Sequence, residues 1–298
     1  MTEASASAPR IVDAPLAPPT ADQGLIGVFH RRYLLRLLVR REISARYQGS
    51  FLGLLWSYIN PLSQFFIYFF IIGTIFNLHD TIENFAIHIF AALIVVHYFN
   101  ETFNAGTRSI VRNKALVRKL AMPREMFPVA SMLVSLYHVF PQLVILVVAC
   151  LVYGYTPTVG SLGAFLLGLA IIMALGTGLA LMFSAANVYF GDFGSVVAII
   201  TNVVRFSVPM IYSYEMVADR FGSFAEYYMY NPVADAVVLF QQAFWVGTTD
   251  DPELTMSEKM PDHILQSGFI ALGVSLVVLM AAQLIFIRLQ DKIPERLN

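Results

Sequence analysis

The side chains able to do chemistry fall into a few groups. Six cations, Arg108, Arg112, Lys114, Arg118, Lys119 and Arg124, crowd the stretch 108–125. Such charges suit an acidic partner surface, and they equally suit the plainer task of keeping a loop on the cytoplasmic side of a membrane. Seven more lie near the start: Arg10, Arg31, Arg32, Arg36, Arg40, Arg41 and Arg46. Two ionisable groups, Arg205 and Glu101, interrupt apolar runs. A guanidinium there can meet a phosphate of passing anionic cargo, pair with an acid to lock a bundle, or snorkel to the surface. His88, His97 and His138 are dispersed along the apolar segments and read as hydrogen-bonded packing residues, so no metal site is expected. The lone Cys150 allows neither an intramolecular disulfide nor a cysteine metal cluster. No lysine follows a glycine, which excludes a G-x-x-x-x-G-K phosphate loop. Nine acids between Glu215 and Asp262 have no paired spacing that suggests catalysis, and they suit a solvated loop.

The elements that must position these groups are membrane helices. Of 298 residues, 57% are hydrophobic and only 13% charged, the net charge is −1, and the mean hydropathy is +0.66. That is about half the charge of an average soluble domain, which argues against a soluble enzyme or a nucleic-acid binder. Apolar runs at 54–76, 85–106, 127–153, 162–189, 194–212 and 264–287 are each long enough to cross about 30 Å of hydrocarbon. On this count Arg205 lies near the middle of the fifth span and Glu101 near the inner end of the second. Between the fifth and sixth spans, the segment 213–263 holds a further apolar patch at 231–246, interrupted by Asn231-Pro232 and Gln241-Gln242, which fits a re-entrant or interfacial helix. The fold expected is an all-α integral membrane protein of six transmembrane helices (54–287), with an amphipathic interface helix before them and short re-entrant or interfacial helices in the last outer loop.

Cations set the orientation. The N-terminal segment, the second-to-third loop and the tail 288–298, which carries Arg288, Lys292 and Arg296, together hold 16 of the 19 Lys and Arg residues. Both termini are therefore expected in the cytoplasm. The Ala-, Pro- and Ser-rich beginning reads as a disordered cytoplasmic tail within 1–29, without the apolar core of a signal peptide. In the segment 30–53 that follows, Arg32, Arg36 and Arg40 share one helical line at i, i+4 spacing, with Leu34, Leu35 and Leu38 roughly opposite, as in a helix lying along lipid headgroups.

Several motifs are recognisable. Arg41-Glu42-Ile43-Ser44-Ala45-Arg46-Tyr47, then Gly49-Ser50-Phe51-Leu52-Gly53-Leu54-Leu55-Trp56 and Asn60-Pro61-Leu62, resemble the signature of membrane subunits of ABC-2 type polysaccharide exporters. A second match lies in the cytoplasmic loop: Asn113, Leu116, Lys119 and Met122-Pro123-Arg124-Glu125, followed by Pro128. Asn187-Val188-Tyr189-Phe190 with Asp192, and Asn231-Pro232, resemble later motifs of that family, although Gly191 stands where a basic residue is expected. The resemblance extends from about Arg31 to the C-terminus.

It implies a permease subunit without its own motor, working as a homodimer with two copies of an ABC ATPase chain that binds the ATP and Mg. It would move a lipid-linked polysaccharide across the bacterial inner membrane, and O-antigen, teichoic acid, capsule and cell-wall galactan exporters share these motifs. The loop 108–125 is then read as the ATPase-coupling element, with Arg112, Lys114, Leu116, Arg118, Lys119, Arg124 and Glu125 as its candidate residues. Arg32, Arg36, Arg40, Arg41 and Arg46 belong to the interface helix. The aromatic-rich first span suggests a conduit on whose rings sugar C–H faces slide. Tyr58, Phe65 and Tyr68, with Arg205, are the candidates for the translocation path, although Tyr58 also suits an ordinary interfacial belt. Alternatives are an ABC-2 exporter of another lipid or of a drug, and an ion-coupled secondary transporter. The latter would want several membrane-buried carboxylates where mainly Glu101 is found. A membrane glycosyltransferase or polymerase would have only the acid-rich outer loop as a catalytic surface.

Overall fold

A computed structural model describes residues 24–120, 122–290 and 292–296, and among these the chain is helical throughout with no strand. The helices that matter are α1 (Leu25–His30), α2 (Arg32–Tyr47), α3 (Trp56–Ile75), α4 (Phe85–Arg112), α5 (Lys114–Lys119), α6 (Met126–Val152), α7 (Val159–Tyr189), α8 (Phe193–Phe206), α9 (Tyr214–Phe221), α10 (Pro232–Phe244), α11 (Pro252–Lys259) and α12 (Ile264–Gln290). Five of them, α3, α4, α6, α7 and α12, are long and apolar enough to cross a membrane. The chain is a multi-pass membrane protein.

α4 and α7 form the centre. The most apolar window of α4 is 83% buried, and the helix packs against α6, α7, α8 and α10. Without a hydrophobic drive between helices in lipid, close backbone approach supplies the contact energy. α7 and α12 use it: a Cβ on Gly178 would lie 2.9 Å from the Leu279 Cα, so only glycine lets these two helices touch there. α12 and α3 are peripheral, with 22% and 17% of their windows buried. Within α3, a π-helical stretch, Ile67–Ile72, interrupts the regular turn.

The fifth expected span is shorter than 194–212. α8 has 14 residues, about 21 Å, and stops at Phe206. Pro209 is the reason: it has no N–H to continue the ladder and pushes its predecessor away from the α region. On either side of it Val208 and Met210 are buried, and the Pro209 carbonyl accepts a hydrogen bond from Gln241 Nε2 at 2.7 Å.

The apolar patch at 231–246 becomes α10. Asn231 Oδ1 caps Val233 N at 3.0 Å and Pro232 occupies the first turn, where its missing N–H is harmless. Nearly all of α10 is buried against α4, α7 and α12. An apolar helix this short, enclosed on all sides by protein, can sit at membrane depth without spanning.

The bundle has two distinct ends. One, the basic end, gathers α1, α2, α5 and the 190–192 turn. The other, the hairpin end, gathers the 76–84 and 153–158 connections and the segment from α9 to α11. Helix begins at Leu25, so part of the expected tail 1–29 is ordered as α1. Residues 1–23, including Arg10, lie outside the described residues, as do Asp291, Leu297 and Asn298 of the expected tail 288–298.

Candidate functional site

α2 does not float beside the bundle. α4 ends at Arg112, and Asn113 interrupts the helix for one residue before α5 starts. The Asn113 side chain is buried and bonds in both directions. Its Oδ1 accepts from Arg41 Nη1 at 2.9 Å, and its Nδ2 donates to Glu42 Oε1 at 2.9 Å and to the Ser109 carbonyl at 3.0 Å. Arg112 adds an ion pair to Glu42 at 2.5 Å. One asparagine thus joins α2, α4 and α5, which gives a physical role to the first residue of the loop motif.

One and a half turns further along α2, the Arg46 guanidinium pairs with Glu101 of α4 and lies 3.1 Å from His138 Nδ1 on α6. His138 Nδ1 is 2.7 Å from Glu101 Oε1, and His97 Nε2 is 3.5 Å from Glu101 Oε2. A carboxylate at this depth is tolerable only when its oxygens have such partners. His138 fits the expectation of a hydrogen-bonded packing residue, and the structure adds that His97 lies beside the same carboxylate, the one in the second span. His88 departs from the expectation of a hydrogen-bonded packing residue: it is buried with no hydrogen-bond partner for either ring nitrogen among the described residues, and its ring meets Trp245 edge-on with centroids 4.8 Å apart. Tyr47 sets its ring against His138 at 5.9 Å and hydrogen-bonds Ser57. Gly49 then turns the chain at φ 78°, a conformation that glycine adopts without strain, so that α3 returns along α4. Together these elements enclose a polar cavity of about 460 Å³ whose lining includes Arg46, Ser57, Asn60, Gln64, His97 and Glu101.

The expected coupling residues separate into two sets. Arg112 is tied to Glu42, Arg124 hydrogen-bonds the Gln290 carbonyl, and Glu125 is fully buried, accepting from Gly24 N at 3.0 Å and Gln283 Nε2 at 3.2 Å. These three brace the basic end, and Glu125 offers no surface to a partner. Leu116 is half-buried against the apolar cluster that contains Val117, Met126 and Phe286. Lys114, Arg118 and Lys119 are exposed on α5.

Arg32, Arg36 and Arg40 are also exposed along α2. The leucines expected in lipid are not there: Leu38 is buried, and Leu34 and Leu35 pack on the same protein cluster. The outward apolar stripe is instead Ile26, Phe29, Tyr33 and Leu37, at spacings of three and four residues and exposed by 73%, 74%, 70% and 44%. It adjoins the arginine line, as a helix at a headgroup boundary requires.

The path candidates are scattered. Tyr58 is half-buried, Phe65 stacks on Phe69 at 5.4 Å and meets Phe90 edge-on at 5.3 Å, and Tyr68 is buried within the bundle. Arg205 sits in the last turn of α8, one residue from its end. The mid-span placement is thus corrected, because the helix is shorter than the apolar run. At a helix C-terminus a cation meets the favourable end of the dipole. The Asn187 motif is local scaffolding: Asn187 Oδ1 accepts from Gly194 N at 3.0 Å, and Arg108 donates to the Gly194 carbonyl at 3.2 Å. Around Gly191 there is open space, so the missing basic residue leaves no gap in the packing.

Comparison with known proteins agrees with this architecture. The sequence is 26% identical over 216 residues to an O-antigen export system permease protein RfbA of Klebsiella pneumoniae, covering 72% of this chain and 81% of that one. It is 26% identical over 261 residues to the O-antigen export system permease protein RfbA of Myxococcus xanthus, covering 87% and 93%. The family model described as ABC-2 type transporter matches residues 33–245, from α2 through α10, and the chain belongs to that family as a membrane transport subunit rather than an enzyme.

Proposed function

We propose that this chain is the permease half of an ATP-driven exporter that moves a lipid-linked polysaccharide from the inner to the outer leaflet of a bacterial inner membrane. It would act as a homodimer with two copies of an ABC ATPase chain, which binds ATP and Mg. The basic end faces the cytoplasm, as its concentration of cations favours, and the hairpin end faces outward. The names of the RfbA relatives support the cargo class. Family membership brings the ATPase partner and disfavours an ion-coupled mechanism.

One observation carries the mechanism: the exposed cations Lys114, Arg118 and Lys119 stand on a six-residue helix joined at Asn113 to both α2 and α4. A motor domain seated on α5 would pull on Asn113, and through Arg41 and Glu42 would shift α2 along the membrane surface. Arg46 would then move relative to Glu101 and His138, changing the polar cavity beside the start of α3. Tyr58, Phe65 and Arg205 are proposed for the conduit that opens, with Tyr68 reaching it only when α3 moves.

The test is reconstitution with the ATPase. The chain alone should hydrolyse no ATP above background. Replacing Arg118 and Lys119 together by Glu should leave insertion and melting unchanged, while weakening assembly or uncoupling hydrolysis from export. Normal export by a correctly inserted double variant would remove α5 from the coupling path. For the conduit, Arg205→Leu should slow export in a stable protein and Arg205→Lys should restore part of it, because the charge returns without the bidentate fork.

A further inference from the structure

At the hairpin end, the segment between α8 and α12 leaves a second cavity, of about 470 Å³, against the first turns of α12. Asp235 lines it from α10. This side chain is buried: Oδ1 accepts from Ser267 Oγ at 2.9 Å, and Oδ2 is enclosed with no hydrogen-bond partner among the described residues. A second carboxylate, Asp262, shares the lining with Tyr214, Tyr230, His263 and Gln266, and among the described residues no lysine or arginine contributes to it. On one side the lining continues to Ile270 and Val274, which are 56% and 46% exposed on the outward face of α12. In a membrane protein that face meets lipid.

The chemistry of the lining selects its ligand. An enclosed carboxylate oxygen without a donor is costly, and the ligand that relieves it best supplies charge-assisted N–H groups. Two carboxylates and two tyrosine rings favour a cation, by direct attraction and by the quadrupole of the rings. The same carboxylates disfavour a headgroup of net negative charge, while a zwitterionic one can turn its cation inward and leave its phosphate at the mouth. A primary ammonium carries three donors on one point charge, and the adjoining apolar wall offers a place for hydrocarbon. We propose that this cavity binds the primary-ammonium headgroup of a membrane aminolipid, with Asp235 as its anchor and the lipid chains running along Ile270 and Val274.

Native mass spectrometry of the full chain in non-ionic detergent tests this. Phosphatidylethanolamine, phosphatidylcholine, phosphatidylglycerol and a neutral diglucosyl diacylglycerol, all with the same acyl chains, would be added at equal concentration. The expected result is retention of phosphatidylethanolamine about tenfold over phosphatidylglycerol, the scale of one charge-assisted hydrogen bond. Phosphatidylcholine, whose headgroup lacks N–H donors, should fall between them. Asp235→Asn should reduce the preference to about twofold, with folding checked by melting. If that variant does not fold, Tyr230→Ala at an exposed position should reduce the preference about threefold. Equal retention of phosphatidylethanolamine and phosphatidylglycerol by the unmodified chain would overturn the proposal. So would preferential retention of the glycolipid, or an undiminished preference in a folded Asp235→Asn protein.

Discussion

At the basic end α2 joins the bundle through directional polar contacts between side chains, Arg41 and Glu42 to Asn113, Glu42 to Arg112, and Arg46 to Glu101. At the hairpin end α10 joins it through a largely apolar surface, and apart from Ser267, which donates to Asp235, the side-chain donors at that contact reach backbone carbonyls. Trp245 Nε1 donates to the Glu83 carbonyl at 2.6 Å, Tyr155 OH to Ala243 at 2.6 Å, Asn84 Nδ2 to Thr248 at 2.6 Å, and Gln241 to Pro209. The difference teaches where motion is cheap. A partly exposed ion pair can exchange its partner for water or for another chain at little net cost, because water solvates what is released. A buried aromatic cannot leave without opening a cavity, and a buried carbonyl that loses its donor has no replacement. On this difference, the basic end is the one expected to shift under load and the hairpin end the one expected to stay.

The sharpest break of this contrast would come from Trp245, which is 1% exposed and seated between His88 and the Glu83 carbonyl. Trp245→Ala should lower stability by about 3–5 kcal/mol, seen as the largest fall in melting temperature in detergent among the variants named here. A fall no larger than that of a basic-end variant would show that α10 does not anchor its end.

Glu101→Ala comes next, at about 1–3 kcal/mol, because it strips Arg46 and His138 of their shared acceptor. Combining it with Arg46→Ala should cost clearly less than the two losses added, and strict additivity in that double-mutant cycle would mean the pair carries no coupling.

Asn113→Ala should cost about 1 kcal/mol overall, yet its effect should be local. Amide exchange in α2 should accelerate while α4 stays protected, since two of the three bonds lost join α2 to the α4–α5 junction and the third, to the Ser109 carbonyl, touches only the last turn of α4. Equal acceleration in both helices would show that α2 is not an independently mobile unit.

The smallest effect on stability belongs to Arg32, Arg36 and Arg40. Replacing all three with Gln should change melting by no more than about 0.5 kcal/mol per site, while the electrostatic attraction of α2 to anionic lipid falls by about 1 kcal/mol per charge. That loss would be read as a weaker dependence of activity on anionic lipid in reconstituted vesicles. Unchanged lipid dependence would assign the arginine line to topology alone.

Much of the fold was legible in the residues. Long apolar runs at 85–106, 127–153, 162–189 and 264–287 need no context to become helices, since hydrocarbon leaves the backbone no other way to satisfy its polar groups. The arginine line of α2 was equally readable from i, i+4 spacing. Two expectations about the helices fail, each where a one-dimensional pattern lacks a structural fact. The fifth apolar run extended past Pro209, so Arg205 was placed mid-span, whereas hydropathy ignores the backbone break that ends α8 at Phe206. Leu34, Leu35 and Leu38 were assigned to lipid by their face, but a helical wheel distinguishes sides without saying which side meets protein.

What the sequence by itself determined is the class of molecule, the places where helices run, and the end of the bundle at which positive charge collects. All of these follow from properties of neighbouring residues. Only the tertiary structure decided that His97 and His138 gather on Glu101 with Arg46, that Asn113 binds α2, and that Asp235 ends in a cavity. Glu101 and His138 are 37 residues apart, and Asn113 and Arg41 are 72 apart. Periodicity ranks the faces of one helix, but which face of a distant helix lies opposite is set by packing of small residues and backbone breaks across the whole bundle, so those contacts exist only once the helices have docked.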